Sequence, residues 1–398
     1  MKFTYIIVGG GLAGASAIEG IREIDKTGSI LLLGRENRFP YHRPPLSKGL
    51  WTGKKKIDDI FVHDERFYID QGVTVQLGRT VSGVDAAAKI ATDNEGIEYR
   101  FEKLLLATGG DPTALRIPGN NEAGVFYFRT LDDYLAILPL CQTGASALVI
   151  GGGFIGTELA AALSLKRVNV TMIFPESRPC LKIFPSDLGA HVLTDFQERG
   201  IQVITRDKPS FVEKEKGKYV VRSQGGRRIE CDFVVAGLGI TPSVDCAKSA
   251  GLAVENGILV NALLQTSHPD IFAAGDNAIF PQSWSGLPGR VEHWDNALHQ
   301  GKRAGRNMAG AQEPYTYLPY FFSDLFDLGY EAVGEIDSRH ETFADWQDEN
   351  KKGVIYYLKE NIVVGVLLCN VWEKVDKARE LIKKNGPIVP ESLRGAIR

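Results

Sequence analysis

The chain has 398 residues, 44% hydrophobic and 9% aromatic, which suffices for several cores and predicts two or three domains. A formal net charge of -3 gives no overall attraction to nucleic acid or to a membrane surface, and clusters such as Lys54-Lys55-Lys56 read as solvated surface. No apolar run approaches the ~20 residues of a membrane span. The opening run Phe3 to Val8 is too short for a secretion signal, so the expectation is a cytoplasmic protein that binds neither membrane nor nucleic acid, as a monomer or homodimer.

In chain order, the apolar run Phe3 to Val8 predicts a strand leading into Gly9, Gly11 and Gly14, spaced GxGxxG, with Leu12 and Ala13 opening the next helix. Each glycine has a reason. The first makes a tight turn, the second lets the backbone approach a pyrophosphate, and the third lets helix pack on strand, with the helix N-terminus facing the phosphates. The run Ser29 to Leu33 predicts the next strand, with Arg35 and Glu36 just beyond it. A carboxylate there accepts from a ribose diol. A turn-rich stretch, Lys89 to Phe101 around Asn94-Glu95-Gly96, then predicts a small antiparallel meander, and Leu104 to Leu106 a separate buried parallel strand ending in Ala107-Thr108-Gly109.

The same series recurs. Ala147 to Ile150 leads into Gly151, Gly152, Gly153, Phe154, Ile155 and Gly156, and the strand Asn169 to Phe174 is followed by Glu176. A second meander, Tyr219 to Cys231 around Gly225-Gly226, precedes the strand Phe233 to Val235, which ends before Gly239. Two copies of one dinucleotide-binding domain are therefore expected, in an α/β protein with two Rossmann-like domains. Glu176 favours NADH, because a carboxylate repels a 2′-phosphate, whereas Arg178 and Lys182 keep NADPH open.

Further on, the strand Ile271 to Ala274 ends before Asp276, and Glu292-His293-Trp294 opens a helix running to about Met308. The last part reads as α+β: strands Val354 to Leu358 and Ile362 to Leu368 joined by a Glu360-Asn361 turn, then a helix from about Val375 to Lys384 stopped by Asn385-Gly386-Pro387. Ile336 to Gly353 reads as a short bridge. The five cysteines form no CxxC or CxxxxC pair, so neither a redox dithiol nor a metal site is expected. Electrons taken up from a nicotinamide must then leave to an outside acceptor.

Taken together, Tyr41-His42-Arg43-Pro44-Pro45-Leu46-Ser47-Lys48, Ala107-Thr108-Gly109, Gly153-Phe154-Ile155-Gly156-Thr157-Glu158 and Ala274-Gly275-Asp276 resemble the FAD-dependent pyridine nucleotide reductases of the ferredoxin reductase type. Phe174-Pro175-Glu176, Arg290-Val291-Glu292-His293, Ser323-Asp324, Gly329-Tyr330-Glu331 and Val363-Val364-Gly365 resemble more closely the apoptosis-inducing-factor flavoproteins of that superfamily.

The resemblance implies a glutathione-reductase-like arrangement. Residues 1–119 and 245–317 are expected to form a discontinuous FAD domain, 120–244 an NAD(H) domain, and 318–398 a domain covering the flavin. FAD contacts are implied for the first glycine loop, Arg35, Glu36, Arg43, Lys48, Val81, Ala107, Thr108, Gly109, Asp276, Glu292, His293, Trp294 and Phe322. NAD contacts are implied for the second loop, Glu158, Glu176, Lys182, Gly239, Glu292 and Glu331. Lys48 and Glu158 are implied as an ion pair beside the reacting flavin edge, either stabilising electron density arriving there or only closing domains. Phe154 is either a gate to the nicotinamide pocket or core packing. His293 belongs to the same catalytic group, at a helix N-terminus that stabilises negative charge on the reduced flavin. Two departures stand out: Asp111-Pro112-Thr113 where an Arg is common, and Phe322 where a Trp is common.

Three functional readings remain open. One is an NADH reductase that feeds a ferredoxin, a rubredoxin or another small acceptor, with Lys374, Lys377, Arg379, Lys383 and Lys384 as a basic docking rim. The second is a slow, NADH-sensing flavoprotein that changes conformation or dimerises on reduction. The third is a non-enzymatic module that merely retains FAD.

Overall fold

The computed structural model describes residues 1–120 and 124–397. The chain forms two compact units: Met1–His42, Ile57–Asp111 and Thr241–Pro319 make the first, and Arg43–Lys56, Pro112–Ile240 and Tyr320–Arg398 the second.

The first unit opens with β1 (Lys2–Val8), α1 (Leu12–Ile24) and β2 (Ile30–Gly34), continues through β3 (Val73–Leu77), β4 (Val81–Asp85) and β5 (Ile90–Asp93), and reaches β6 (Glu98–Leu106). The sheet order is β3-β2-β1-β6-β5-β4. Its central strands are parallel and covered on both faces, which is why they read as unbroken apolar runs. Ile6, Leu31 and Leu104 pack on one side with Val84, Ala91 and Tyr99; Ile7, Leu32 and Leu105 pack on the other with Ala17, Ile18 and Ile21 of α1. The sequence pattern separates a meander from a parallel strand, but β6 is one strand that serves both. Its start pairs antiparallel with β5 while its remainder pairs parallel with β1.

In the second unit the chain runs through β7 (Phe126–Tyr127), β8 (Ser146–Ile150), α2 (Phe154–Leu165), β9 (Asn169–Ile173), α3 (Ser186–Glu198) and β10 (Gln202–Ile204). A three-stranded antiparallel sheet follows, β11 (Pro209–Glu215), β12 (Lys218–Ser223) and β13 (Arg228–Cys231), and then β14 (Phe233–Ala236). The parallel sheet has the order β10-β9-β8-β14-β7. Here meander and parallel strand are separate, and Asp232 stands at the break. Its carboxylate accepts from the Ser146 N–H (2.8 Å), the Ser146 hydroxyl (2.7 Å) and the Lys218 ammonium (2.5 Å), tying the break to the start of β8.

Back in the first unit, β15 (Ile271–Ala273) adds parallel to β6 and the chain enters α4 (Trp294–Met308). Helices α1 and α4 meet backbone to backbone. A Cβ at Gly301 would lie 2.2 Å from the Ala13 carbonyl oxygen, and one at Gly305 2.1 Å from that of Ala17.

The C-terminal part, in the second unit, is an antiparallel sheet of β16 (Tyr320–Leu325), β17 (Leu328–Gly334), β18 (Glu341–Asp348), β19 (Lys352–Lys359) and β20 (Ile362–Cys369), ordered β16-β17-β20-β19-β18, followed by α5 (Val375–Lys383). The expected turn is present: Glu360 and Asn361 both take positive φ, 52° and 61°, as a two-residue hairpin of type I′ requires. The expected bridge is not, because Ile336 to Gly353 contains the eight-residue strand β18. Glu341, Asp345 and Asp348 hide its periodicity, and such charges are how an edge strand resists pairing with another chain. Among the described residues no helix is long and apolar enough to cross a membrane.

The hydrogen bonds to Asp232, led by that from Lys218, hold its carboxyl at about 2, below the usual 3.8. The unfolded chain takes up this proton first, so the stabilisation is complete above pH 3.8 and is lost as pH falls toward 2. Asp232→Ala is expected to cost about 1–3 kcal/mol at neutral pH and to flatten the acid limb of a thermal-unfolding series. An unchanged series would show that the break is held by strand packing alone.

Candidate active site

In the first unit, Gly9 sits at φ 127°, and a Cβ on it would lie 2.1 Å from the Ala107 carbonyl oxygen. Only glycine fits there. Gly14 is set against the Gly9 carbonyl in the same way, at 2.2 Å. Gly11 differs: a Cβ there meets nothing within 4 Å. It is also the N-cap of α1, with no side-chain cap and no acidic residue in the first turn. Unpaired N–H groups and the positive end of the helix dipole therefore face open space beside Leu12 and Ala13, which suits a pyrophosphate.

Around this cradle the other expected residues are tied to one another. The Glu36 carboxylate accepts from the Tyr41 hydroxyl (2.5 Å). Arg35 pairs with Asp111 (2.5 Å), which also accepts from the Ser243 hydroxyl (2.8 Å), so the departure at Asp111 supplies a partner for Arg35. Thr108 donates to the Ser243 carbonyl (2.5 Å), and the Gly109 carbonyl accepts from the Ser243 N–H (2.9 Å). The Val81 side chain is buried in the core, and its carbonyl lies 3.3 Å from the Cys246 thiol. The Asp276 carbonyl accepts from Arg290 (2.7 Å), whose guanidinium also pairs with Glu292.

His293 is the N-cap of α4 and makes no side-chain cap. Burial lowers its imidazole to about 4 against the opposing charges of Asp276 and Asp295, so it is neutral at physiological pH. The Trp294 indole donates to His42 Nδ1 (2.9 Å). Two further residues stand in this region. Gln300 accepts from the Gly275 N–H (2.7 Å) and Asn277 donates to Thr108 (2.8 Å); both are fully buried, and Gln300 Nε2 and Asn277 Oδ1 have no partner among the described residues. Neither lies in a spacing motif that would have singled it out.

The second unit repeats the cradle. Gly151 sits at φ 120°, where a Cβ would lie 2.4 Å from the Gly237 carbonyl oxygen, and a Cβ on Gly156 would lie 2.1 Å from the Gly151 carbonyl oxygen. Gly152 is pressed against the Phe174 ring, whereas Gly153 again faces nothing within 4 Å and forms the uncapped N-terminus of α2. Ile155 and Phe154 are half-buried, and the Phe154 ring meets Phe321 edge to face at 5.1 Å. The Glu176 side chain is half-buried and makes no hydrogen bond with the described residues. Lys182 is exposed, and its carbonyl accepts from the Ser338 N–H. Gly239 is exposed at φ 80°.

Arg43, Lys48 and Phe322 also belong to this unit. Arg43 donates to the Arg129 carbonyl (2.6 Å). Lys48 pairs with Glu158 at 2.6 Å, their side chains 15% and 4% exposed, and its ammonium stands 5.6 Å from the Phe322 ring centre. Glu158 also accepts from Ser47 and Ser323, each at 2.5 Å; both serines stand inside quoted motifs, yet nothing in the sequence marks them as its partners. Glu331 lies across the strand from Phe322. Burial raises its carboxyl, partly offset by Arg379.

On α5, Lys377, Lys383 and Lys384 are exposed, but Arg379 is held by Asp376, and Glu373, Asp376 and Glu380 interleave with them. The rim therefore carries interleaved acids while keeping an excess of basic residues. All five cysteines are free. Burial pushes Cys180, Cys231 and Cys369 up to about 12, and Cys141 and Cys246 up to about 11, so none is a thiolate at neutral pH. Among the described residues no group of His, Cys, Asp or Glu is placed to hold a metal ion.

Two glycine loops, each backed by a strand end and opening an uncapped helix, define a protein that holds two dinucleotides. Residues 3–301 match the family described as pyridine nucleotide-disulphide oxidoreductase, and this chain belongs to it. Residues 304–350 and 344–384 match the C-terminal domain described as apoptosis-inducing factor, mitochondrion-associated. The chain is 35% identical to apoptosis-inducing factor 1, mitochondrial, of Dictyostelium discoideum, over 97% of this chain and 79% of that protein. It is 31% identical to the ferredoxin reductase subunit of 5,5'-dehydrodivanillate O-demethylase of Sphingobium sp., over 96% and 93%. Among solved structures, a covalent putidaredoxin reductase-putidaredoxin complex superposes with a TM-score of 0.92 at 28% identity, covering 98% of this chain and 95% of that one. The protein is a FAD-dependent NAD(P)H oxidoreductase, and the open faces of Gly11 and Gly153 fit the two cofactors.

Because Gly11 and Gly153 have ordinary negative φ and open surroundings, Gly11→Val is expected to cost about 1 kcal/mol or less in the flavin-free fold yet to abolish flavin retention. Gly153→Val is expected to keep the flavin and weaken NADH binding at least tenfold. Thermal unfolding with and without added FAD separates the two effects; retention of yellow colour by Gly11→Val would refute the assignment of the first loop.

Proposed function

We propose that the protein is an NADH reductase whose electrons pass to a small carrier of the ferredoxin or rubredoxin type. When bound together, the cofactors supply hydride transfer from the nicotinamide to the flavin. The observation that carries the reading is the pair of cradles, each ending on an uncapped helix with room for a phosphate. The ferredoxin reductase relative and the likeness to putidaredoxin reductase support the carrier. The five separated thiols support direct exit of electrons rather than relay through a disulfide.

In this reading residues 1–119 and 245–317 hold FAD, 120–244 hold NADH, and 318–398 cover the flavin. Gly9, Gly11 and Gly14 bind the flavin pyrophosphate, and Glu36 its ribose. Asp276 and the N-terminus of α4 at Glu292, His293 and Trp294 serve the flavin. Gly151, Gly153 and Gly156 bind the second pyrophosphate, and Glu176 selects against a 2′-phosphate. Lys48, oriented by Glu158, supplies positive charge where electron density accumulates, and Phe154 and Phe322 shield that place from water. Glu331 contributes to the nicotinamide side. A cytoplasmic location belongs to the same reading, supported by the ferredoxin reductase relative.

The C-terminal match favours a second reading, a slow NADH-sensing flavoprotein whose conformation or association changes on reduction.

Anaerobic NADH titration is expected to bleach the flavin band at one equivalent, and added ferredoxin to restore it within seconds. A reduced form that persists in air and with every carrier, together with a change in size on gel filtration, would instead establish the sensing reading. Glu176→Ser is expected to raise the kcat/KM ratio of NADPH over NADH by about tenfold or more, on the order of 1.4 kcal/mol; an unchanged ratio would remove Glu176 from cofactor selection.

A further inference from the structure

We infer that Ser47 and Ser323 are positioning residues that aim Lys48 by locking the plane of the Glu158 carboxylate. The inference rests on the role proposed above for Lys48. Glu158 is 4% exposed and accepts three hydrogen bonds: Ser47 donates to Oε2 at 2.5 Å, while Lys48 at 2.6 Å and Ser323 at 2.5 Å donate to Oε1. The two hydroxyls come from separate stretches of chain, Ser47 from the turn before Lys48 and Ser323 from β16, and they are 5% and 1% exposed.

An ammonium on a four-carbon stem has three rotatable donors and no preferred plane. Its position must therefore be set by its acceptor. The terminal torsion of a glutamate is broad and roughly two-fold, so a carboxylate held by lysine alone can swing with it. A hydroxyl on each oxygen removes that freedom. It also means that Glu158 keeps two donors without Lys48, which lowers the cost of leaving a charge buried.

The test uses the flavin-loaded protein and the variants Ser47→Ala, Ser323→Ala, the double variant, and Ser323→Thr, which keeps a hydroxyl. Lys48 is acetylated with limiting acetic anhydride and the yield is read by mass spectrometry against exposed Lys377; stopped-flow NADH reduction is measured in parallel. The double variant is expected to label Lys48 at least threefold faster and to be reduced about tenfold more slowly, each single variant to fall between, and Ser323→Thr to match the parent in both. If the double variant does not fold, the single variants carry the same comparison. Unchanged labelling in folded alanine variants, or Ser323→Thr behaving as Ser323→Ala, would overturn the inference. Reduction unaffected by Lys48→Met would instead sink the role of Lys48 itself, while faster labelling in the alanine variants still supported the lock.

Discussion

Two carbonyl oxygens decide where helices α1 and α2 begin. The Ala107 and Gly237 oxygens stand 2.1 and 2.4 Å from where a Cβ of Gly9 or Gly151 would lie, so each strand must turn through a left-handed residue with no side chain. The N-cap of each helix is a glycine with no side chain to cap it, so the first N–H groups of α1 and α2, which have no intrahelical partner, lie at the positive end of a helix dipole. Steric crowding behind each loop thus produces attraction for anions in front of it. Fold and binding have the same cause here.

That coupling explains why so much was legible. A glycine forced by a neighbouring carbonyl must sit at a fixed distance from the next, so spacing alone reveals it. The parallel strands announce themselves because Ile6, Ile7, Leu31, Leu32, Leu104 and Leu105 are buried whichever face they point to. The Glu360-Asn361 turn and α5 were legible from local chemistry of the same short-range kind. What stayed hidden depends on contacts between distant stretches. Ser47 and Ser323 meet Glu158 across sequence separations of 111 and 165 residues. Gln300 and Asn277 acquire meaning only once the turn at Gly275 is packed beside them. The mixed charge of α5 was present in the sequence, but the pairing of Arg379 with Asp376 was not.

The Glu158 cluster illustrates how such distant contacts alter the energetics of a site. A carboxylate almost removed from water is costly unless its lone pairs are filled. Three donors reach both oxygens, and only one of those donors carries charge, so the residue is served as much by neutral hydroxyls as by its counter-ion. By contrast Glu331, with one oxygen buried and without a partner among the described residues, has its carboxyl raised by burial. Within one unit, then, one buried carboxylate has donors on both oxygens while another keeps an oxygen without a partner among the described residues.

The two copies of the domain also differ in how freely they can change. In the first, β6 runs without interruption from its antiparallel pairing with β5 into the heart of the parallel sheet. In the second, the corresponding path is divided at Asp232, whose side chain anchors the junction to Ser146. A change in the hairpin of the first copy acts on a strand continuous with the centre of the parallel sheet, whereas in the second it meets the break at Asp232 before the parallel strand begins. The second copy thus leaves the pairing of its parallel strand to that strand's own residues, whereas in the first copy hairpin and parallel pairing share one stretch of chain.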